Sequence, residues 1–150
     1  MALEIERKFL VVPGFLPPGP GDQIVQGMLS TTPNVRVRVR GDKGYLTVKG
    51  AQRGCSRPEW EYEIPVQDAL EMLDLCTLKV EKTRFEVEHD GNTWEVDVFS
   101  GLNSGLTVAE IELQTEDEIF GWPDWLGKEV TDDPRYLNTN LARAPFSTWR

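Results

Sequence analysis

The chain has 150 residues, an apolar fraction of 39%, a charged fraction of 27% and a net charge of −9 at pH 7. That size and balance describe a single globular domain, 1–150, with room for one core, and exclude a disordered chain. No apolar run reaches the ~18 residues of a membrane span, no apolar segment precedes the charged start of the chain as a secretory signal would, and the acidity weighs against an open nucleic-acid-binding face; the expectation is a cytoplasmic protein with neither membrane nor nucleic acid as partner.

Period-two alternation, the sign of strands, dominates the sequence. The first predicted strand, 3–11, carries Glu4, Glu6 and Lys8 on one side. Residues 13–21, rich in Pro and Gly, form a loop. Residues 35–40 alternate Val with Arg36, Arg38 and Arg40, 41–44 make a turn, and 45–49 return as a second strand ending in Lys49. Residues 59–64 alternate acid with apolar before Pro65 ends the strand. A helix is predicted over 66–76, with Ala69, Leu70, Leu73 and Cys76 at helical spacing. Strand 79–88 places Lys82, Arg84, Glu86 and Glu88 on one face, where Val80 is the apolar exception. Asp90-Gly91 is a hairpin signal leading into 93–99, with Glu95 and Asp97 on one side. Strand 108–113 carries Glu110 and Glu112. Two further short helices are expected: 117–120, capped by Thr115 with Glu118 three residues on, and 133–143, with Asp133 as cap and Pro134 at its first position.

The charged faces are blocks of one sign rather than a mixture. Like charges at i and i+2 share a side of a strand and repel unless something compensates. The opposite faces are apolar, as with Val37, Val39, Leu46, Trp60, Val96 and Ile111. This pattern predicts a mainly β, α+β fold: an antiparallel closed barrel with its charges inside and a few short flanking helices. Rows of Arg and Lys suit phosphate oxygens. Rows of acid suit a hard cation, Mg²⁺ or Mn²⁺. The lone His89 and two cysteines, Cys55 and Cys76, supply neither a His-based metal site nor a disulfide framework. His89 is expected to be solvent-exposed beside its turn.

These segments carry a resemblance. Glu4-Ile5-Glu6-Arg7-Lys8 resembles the N-terminal ExExK signature of the CYTH superfamily, the triphosphate tunnel metalloenzymes. Arg38-Val39-Arg40, Thr47-Val48-Lys49, Glu81-Lys82-Thr83-Arg84, Trp94-Glu95-Val96-Asp97 and Ala109-Glu110-Ile111-Glu112 follow in the family's order. The resemblance implies an eight-stranded tunnel and a metal-dependent triphosphatase, most similar to the short bacterial enzymes acting on inorganic triphosphate. It implies that Glu4, Glu6, Glu110 and Glu112 hold metal, with Asp97 contributing. It implies that Lys8, Arg38, Arg40, Lys49, Lys82 and Arg84 hold triphosphate, with Arg36 joining by parity. Lys8, Glu6 and Glu61 are the expected catalytic groups. The C-terminal helix is expected to cover one tunnel end.

One residue departs from the pattern. Similar bacterial triphosphatases commonly read Gln-Gly-Tyr-Leu where this chain has Gln26-Gly27-Met28-Leu29, so the tyrosine hydroxyl is missing. Tyr45 has lumen parity and Tyr62 does not. The alternatives to triphosphate hydrolysis are an adenylyl cyclase or other organic-triphosphate enzyme of the same superfamily, acting for example on ATP or thiamine triphosphate, and a binder without catalysis. Lys82→Ala and Arg84→Ala are expected mainly to weaken triphosphate binding. An apolar outer face only partly covered by short helices suggests a homodimer.

Overall fold

The computed structural model describes residues 2–149. Nine strands form one antiparallel sheet: β1 (Ala2–Val11), β2 (Asp22–Thr31), β3 (Asn34–Arg40), β4 (Lys43–Lys49), β5 (Ser56–Ile64), β6 (Lys79–His89), β7 (Asn92–Phe99), β8 (Thr107–Glu112) and β9 (Leu126–Glu129). Two α-helices accompany them, α1 (Val66–Leu75) and α2 (Asn138–Arg143). The order is β5-β4-β3-β2-β6-β7-β8-β1-β9, and β1 also pairs with β5. That last pairing closes eight strands into the expected barrel, leaving β9 outside the ring. The edge of β1 is divided: residues 2–5 pair with β5, and Phe9 and Val11 pair with β9.

Local chemistry accounts for the turns and for the seat of the helix. Asp90 and Gly91 both have positive φ, 49° and 80°, as a two-residue hairpin between twisted strands requires. At Gly27 and Gly44 a Cβ would lie 2.7 Å from the Cβ atoms of Cys76 and Ala69, so these glycines let α1 settle directly on β2 and β4. Ala69, Leu73 and Cys76 thereby join buried Val37 in one apolar cluster on the outer face. A second outer cluster, around Phe9, Trp94, Val96 and Ile111, is covered not by a helix but by the loop carrying Phe120 and Trp125. Trp94 meets Phe9, Phe120 and Trp125 edge-on at 5.6–5.7 Å, a geometry aromatic quadrupoles favour.

A third cluster lies at one end of the barrel interior. Val80, Phe99 and Val108 stand in ladder register with the lumen residues Gln26, Lys82 and Asp97, and so share their side. They pack with Leu10, Val130, Tyr136 and Leu141, the last two from the C-terminal segment. The lumen is therefore charged along most of its length and apolar at one end, where the C-terminal segment fills it. Val80, the exception in its charged row, belongs to this apolar end.

Three expectations are corrected. The helix over 133–143 is two pieces, a 3₁₀ turn at Pro134–Tyr136 and then α2, separated by Leu137 at ψ 134°. Its predicted start holds: Asp133 accepts a hydrogen bond from the Arg135 amide with Pro134 behind it. No helix forms over 117–120; the Glu118 carboxylate instead accepts from the Gln114 amide at 2.6 Å, bending the chain. Strand β9 was not predicted. His89 is partly covered, its side chain 33% exposed and 3.4 Å from Asp90. Among the described residues no helix is long and apolar enough to cross a membrane.

Candidate active site

The lumen holds a cavity of about 520 Å³. It is lined by Glu4, Glu6 and Lys8 of β1, Arg36, Arg38 and Arg40 of β3, Lys49 of β4, Glu61 of β5, Lys82 and Arg84 of β6, and Glu110 and Glu112 of β8. Strand alternation puts them all on one side, and closure turns that side inward. Asp97 shares the parity, standing opposite Arg84 in the ladder, yet does not line the cavity. Tyr45 stands opposite Arg38 and also stays out of the lining, and Tyr62 is 61% exposed on the outer face.

The charges divide into two arcs. Proceeding around the ring, β7, β8, β1 and β5 contribute Glu95, Glu110, Glu112, Glu4, Glu6, Glu59 and Glu61, with Lys8 and Arg57 as the two cations set among them. Strands β4, β3 and β6 contribute Lys49 and the arginine and lysine rows, while β2 between them adds uncharged Gln26 and Met28. Ion pairs link the arcs: Lys49 meets Glu4 at 2.9 Å, Arg36 meets Glu61 at 3.4 Å and Arg84 meets Glu95 at 3.3 Å, while within the acidic arc Lys8 lies 3.9 Å from Glu110. The Thr47 hydroxyl also donates to Glu61 at 2.8 Å.

Each arc is electrostatically unsatisfied by the protein alone. Burial pushes the Glu6 carboxyl well above its ordinary range, and the neighbouring Glu110 and Glu4 carboxylates push it further. Glu110, although burial opposes it, is drawn down to about 2 by Lys8 and Arg84. Burial raises Glu4 and Glu112 too, with Glu59 adding to Glu4 and Glu4 to Glu112. In the basic arc, burial lowers Arg38 to about 9, helped by Arg36 and Arg84, and burial lowers Lys82 to about 7 against the pull of Asp97. The Arg36 Nε is buried without a hydrogen-bond partner, an orphaned donor facing a site for anionic oxygen.

The donor set fits a hard cation, because the acid arc is all carboxylate oxygen and a bound cation would stabilise ionised Glu6. Among the described residues no three carboxylates converge on a ready-made cation position, so the fit rests on donor chemistry. Glu4, Glu6 and Glu112 have folded pKa values above their unfolded ones, so their effect on stability is least unfavourable below the unfolded value and worsens as pH rises through the folded value. A cation held there would take the ionised forms and reverse that loss. Saturating Mg²⁺ should therefore raise Tm by about 5–10 °C at pH 7 and by much less at pH 5. Equal shifts at both pH values would contradict the role of the acid arc.

Several residues in or against the lining were not singled out as site residues in the sequence. Gln26 accepts from Arg38 Nε and Nη2 at 2.9 and 2.6 Å and fixes that guanidinium. Asn138 accepts from Lys82 Nζ at 3.0 Å, and the Tyr136 carbonyl accepts from Lys8 Nζ at 3.1 Å. Thr131 lines the cavity while its hydroxyl accepts from the Lys8 amide and donates to Glu129. Arg57, at the β1–β5 seam, donates to the Gly50 carbonyl. Strand parity could have shown Gln26 and Arg57; the others come from the C-terminal segment, whose path through the barrel no local pattern reveals.

A closed barrel whose lumen faces a basic arc with an acidic one defines a protein built to hold a polyanion together with cations. The chain belongs to the CYTH domain family, whose pattern matches residues 28–143. It is 50% identical over 155 residues to an inorganic triphosphatase of Acetivibrio thermocellus, covering 100% of this chain and 99% of that protein. It is 41% identical over 149 residues to an inorganic triphosphatase of Nitrosomonas europaea, covering 93% and 96%. A crystal structure of an inorganic triphosphatase superimposes with a TM-score of 0.68 at 37% identity, covering 95% of each chain.

Proposed function

We propose that this protein is a metal-dependent triphosphatase that hydrolyses inorganic triphosphate inside its barrel. The observation that carries this reading is the pair of facing charge arcs in one cavity whose lining, among the described residues, contains no aromatic side chain. A nucleotide base would want a stacking face; three linked phosphates want only charge and hydrogen-bond donors.

The basic arc binds the phosphate oxygens. Arg36 and Arg38 present guanidinium donors, and the Gln26 contact holds Arg38 in place. Glu4, Glu6, Glu110 and Glu112 are the residues that would hold Mg²⁺ or Mn²⁺, which when bound supplies charge neutralisation at the phosphate oxygens. Lys8, between Glu110 and the Tyr136 carbonyl, neutralises charge at the scissile phosphoryl group. Water attacks the terminal phosphorus, the bond to the bridging oxygen breaks, and pyrophosphate leaves. The water proton passes to a lumen carboxylate, Glu6 or Glu61. Glu61 is held by Thr47 and its side chain is 42% exposed, so it is accessible to solvent water. Positioning and electrostatics carry most of the barrier lowering in such a reaction.

Phosphate release from tripolyphosphate, ATP and thiamine triphosphate, each with Mg²⁺ and with Mn²⁺, tests the reading. Metal-dependent release with tripolyphosphate preferred supports it. Cyclic AMP and pyrophosphate from ATP would favour a cyclase, and tight binding without turnover a binder. Met28, which lines the cavity opposite Arg36, is tested by Met28→Tyr. Tripolyphosphate turnover is expected to rise; an unchanged kcat would remove position 28 from the chemistry.

The two free thiols suit a reducing cytoplasm. The outer face of β5 and β1, with exposed Tyr62 and Leu3 and half-buried Trp60, is where a second copy would pack. A solution mass of one chain rather than two would remove the dimer.

A further inference from the structure

We propose that Asp97 is a positioning residue that clamps Lys82 and Arg84 into one rigid cationic pair for the triphosphate, and that it is not a cation ligand. The inference rests on the triphosphate site proposed above and assigns a role within it.

Asp97 is the innermost carboxylate of the barrel wall, its side chain 2% exposed. Its Oδ1 accepts from Arg84 Nε at 2.7 Å and its Oδ2 from Arg84 Nη2 at 2.8 Å, a two-pronged contact. The same Oδ2 lies 2.8 Å from Lys82 Nζ. Both oxygens are thus engaged by cations that themselves line the cavity, and Asp97 does not reach it. A carboxylate so placed has its accepting directions taken up by the wall.

Its two partners are correspondingly fixed. Arg84 gives one edge of its guanidinium to Asp97, and its Nη1 reaches Glu95 at 3.3 Å on the cavity lining. Lys82 carries three N–H donors. One serves Asp97 and one serves Asn138, at 3.0 Å, which leaves one for an incoming anion. The ring of Phe99 lies 5.4 Å from the ammonium and completes its cage. Arg38 and Arg84 repel each other and Lys82 across the basic arc, as their mutual effects on ionisation show. Without a buried anion behind them, two of these cations would be driven apart before substrate arrived. Asp97 supplies that anion from the wall side and leaves the cavity side open, so the ordering cost is met before binding.

Apart from Glu95, which shares β7 and accepts from Arg84, the carboxylates that line the cavity lie on other strands. Glu4 and Glu6 on β1 and Glu110 and Glu112 on β8 are ladder neighbours, with Glu6 opposite Glu112 and Lys8 opposite Glu110. Asp97 is near enough to Glu110 for their charges to interact, yet both of its oxygens are held by Arg84 and Lys82. Binding of cations and binding of triphosphate therefore depend on different carboxylates.

The test measures two binding constants on the full chain, Mn²⁺ alone by its electron paramagnetic resonance signal and tripolyphosphate alone, without metal, by calorimetry. In Asp97→Asn the Mn²⁺ Kd should stay within about twofold of wild type while the tripolyphosphate Kd rises at least about tenfold. In turnover the KM should rise while kcat changes by less than about threefold, a split that a general loss of structure would not produce. A Mn²⁺ Kd weakened tenfold or more with tripolyphosphate binding unchanged would overturn the proposal and make Asp97 a cation ligand. Should Asp97→Asn fail to fold, Asp97→Asn/Lys82→Met removes one cation with the anion, and its Mn²⁺ Kd decides: retained supports the proposal, lost overturns it. Both constants are measured without turnover, so they stand even if hydrolysis itself is disproved.

Discussion

Glu4→Gln and Glu112→Gln are each expected to lower kcat for tripolyphosphate by at least about 10³-fold, as removing one charge from a preorganised polar site does elsewhere. Both changes keep shape and remove a charge from the acid arc. Glu112 stands beside Glu6 in the ladder, and Glu4 is the partner of Lys49 at 2.9 Å. Burial is the main cause that raises the Glu4, Glu6 and Glu112 carboxyls, with neighbouring carboxylates adding to it, so a neutral glutamine lightens the cost of holding charge there. Glu112→Gln should therefore fold as well as wild type or better, and Glu4→Gln, which keeps a hydrogen-bond acceptor for Lys49 but not its counter-charge, close to wild type, while both lose turnover. Phosphate-release kinetics with a parallel melting curve checks this. Full activity in both variants would remove the acid arc from the chemistry.

Arg84→Ala carries the largest expected effect on stability. Burial works against its charge, but Asp97 holds Arg84 in a two-pronged contact and raises its pKa well above the ordinary value. Asp97 in turn is held below the carboxylate range by Arg84 and Lys82 despite its burial. Arg84→Ala strips buried Asp97 of its two-pronged partner and leaves it Lys82 alone; breaking such a buried pair costs about 3–5 kcal/mol, or about 10 °C in Tm for a chain of this size. Replacing the whole cluster, as in Arg84→Met/Asp97→Leu/Lys82→Met, should recover much of the loss, because well-packed apolar substitutes often match a buried ion cluster and no charge is left unpaired. The sequence suggested that Arg84→Ala would mainly weaken triphosphate binding. The ion pair to Asp97 adds a folding cost that strand parity alone does not disclose. A Tm within 2 °C of wild type, an interval of about 1 kcal/mol or less, would contradict the account.

Much of the site was legible because alternation in a strand is a geometric statement. Once Arg36, Arg38 and Arg40 share a face, closure of the barrel sends all three to one lumen, and the cavity lining bears this out. Parity reports the side, however, not what fills it. Leu10, Val80, Phe99 and Val108 lie on the same inward side as the charges, but the C-terminal segment packs onto them and makes that end apolar. That packing is long-range, and so is the reach of Asn138 to Lys82. Strand β9 is only four residues, Leu126–Glu129, too short to show a period, and it exists because the far half of β1 has an edge to pair. The helix over 133–143 breaks at Leu137 because the chain must turn into the barrel mouth, where Leu137, Asn138 and Thr139 line the cavity. The failed helix over 117–120 has a local cause: Glu118 found the Gln114 amide instead of a helix start, while Phe120 took its place over Phe9 and Trp94.

The central claim is that the lumen cleaves a triphosphate with the help of a cation. The most direct measurement is a ³¹P NMR time course of tripolyphosphate with Mg²⁺ and the full chain, repeated with Glu4→Gln. The account predicts orthophosphate and pyrophosphate appearing in equal amounts with wild type, and a nearly static spectrum with the variant or without metal. An unchanged tripolyphosphate spectrum with wild type and Mg²⁺, or equal rates in wild type and Glu4→Gln, would contradict it.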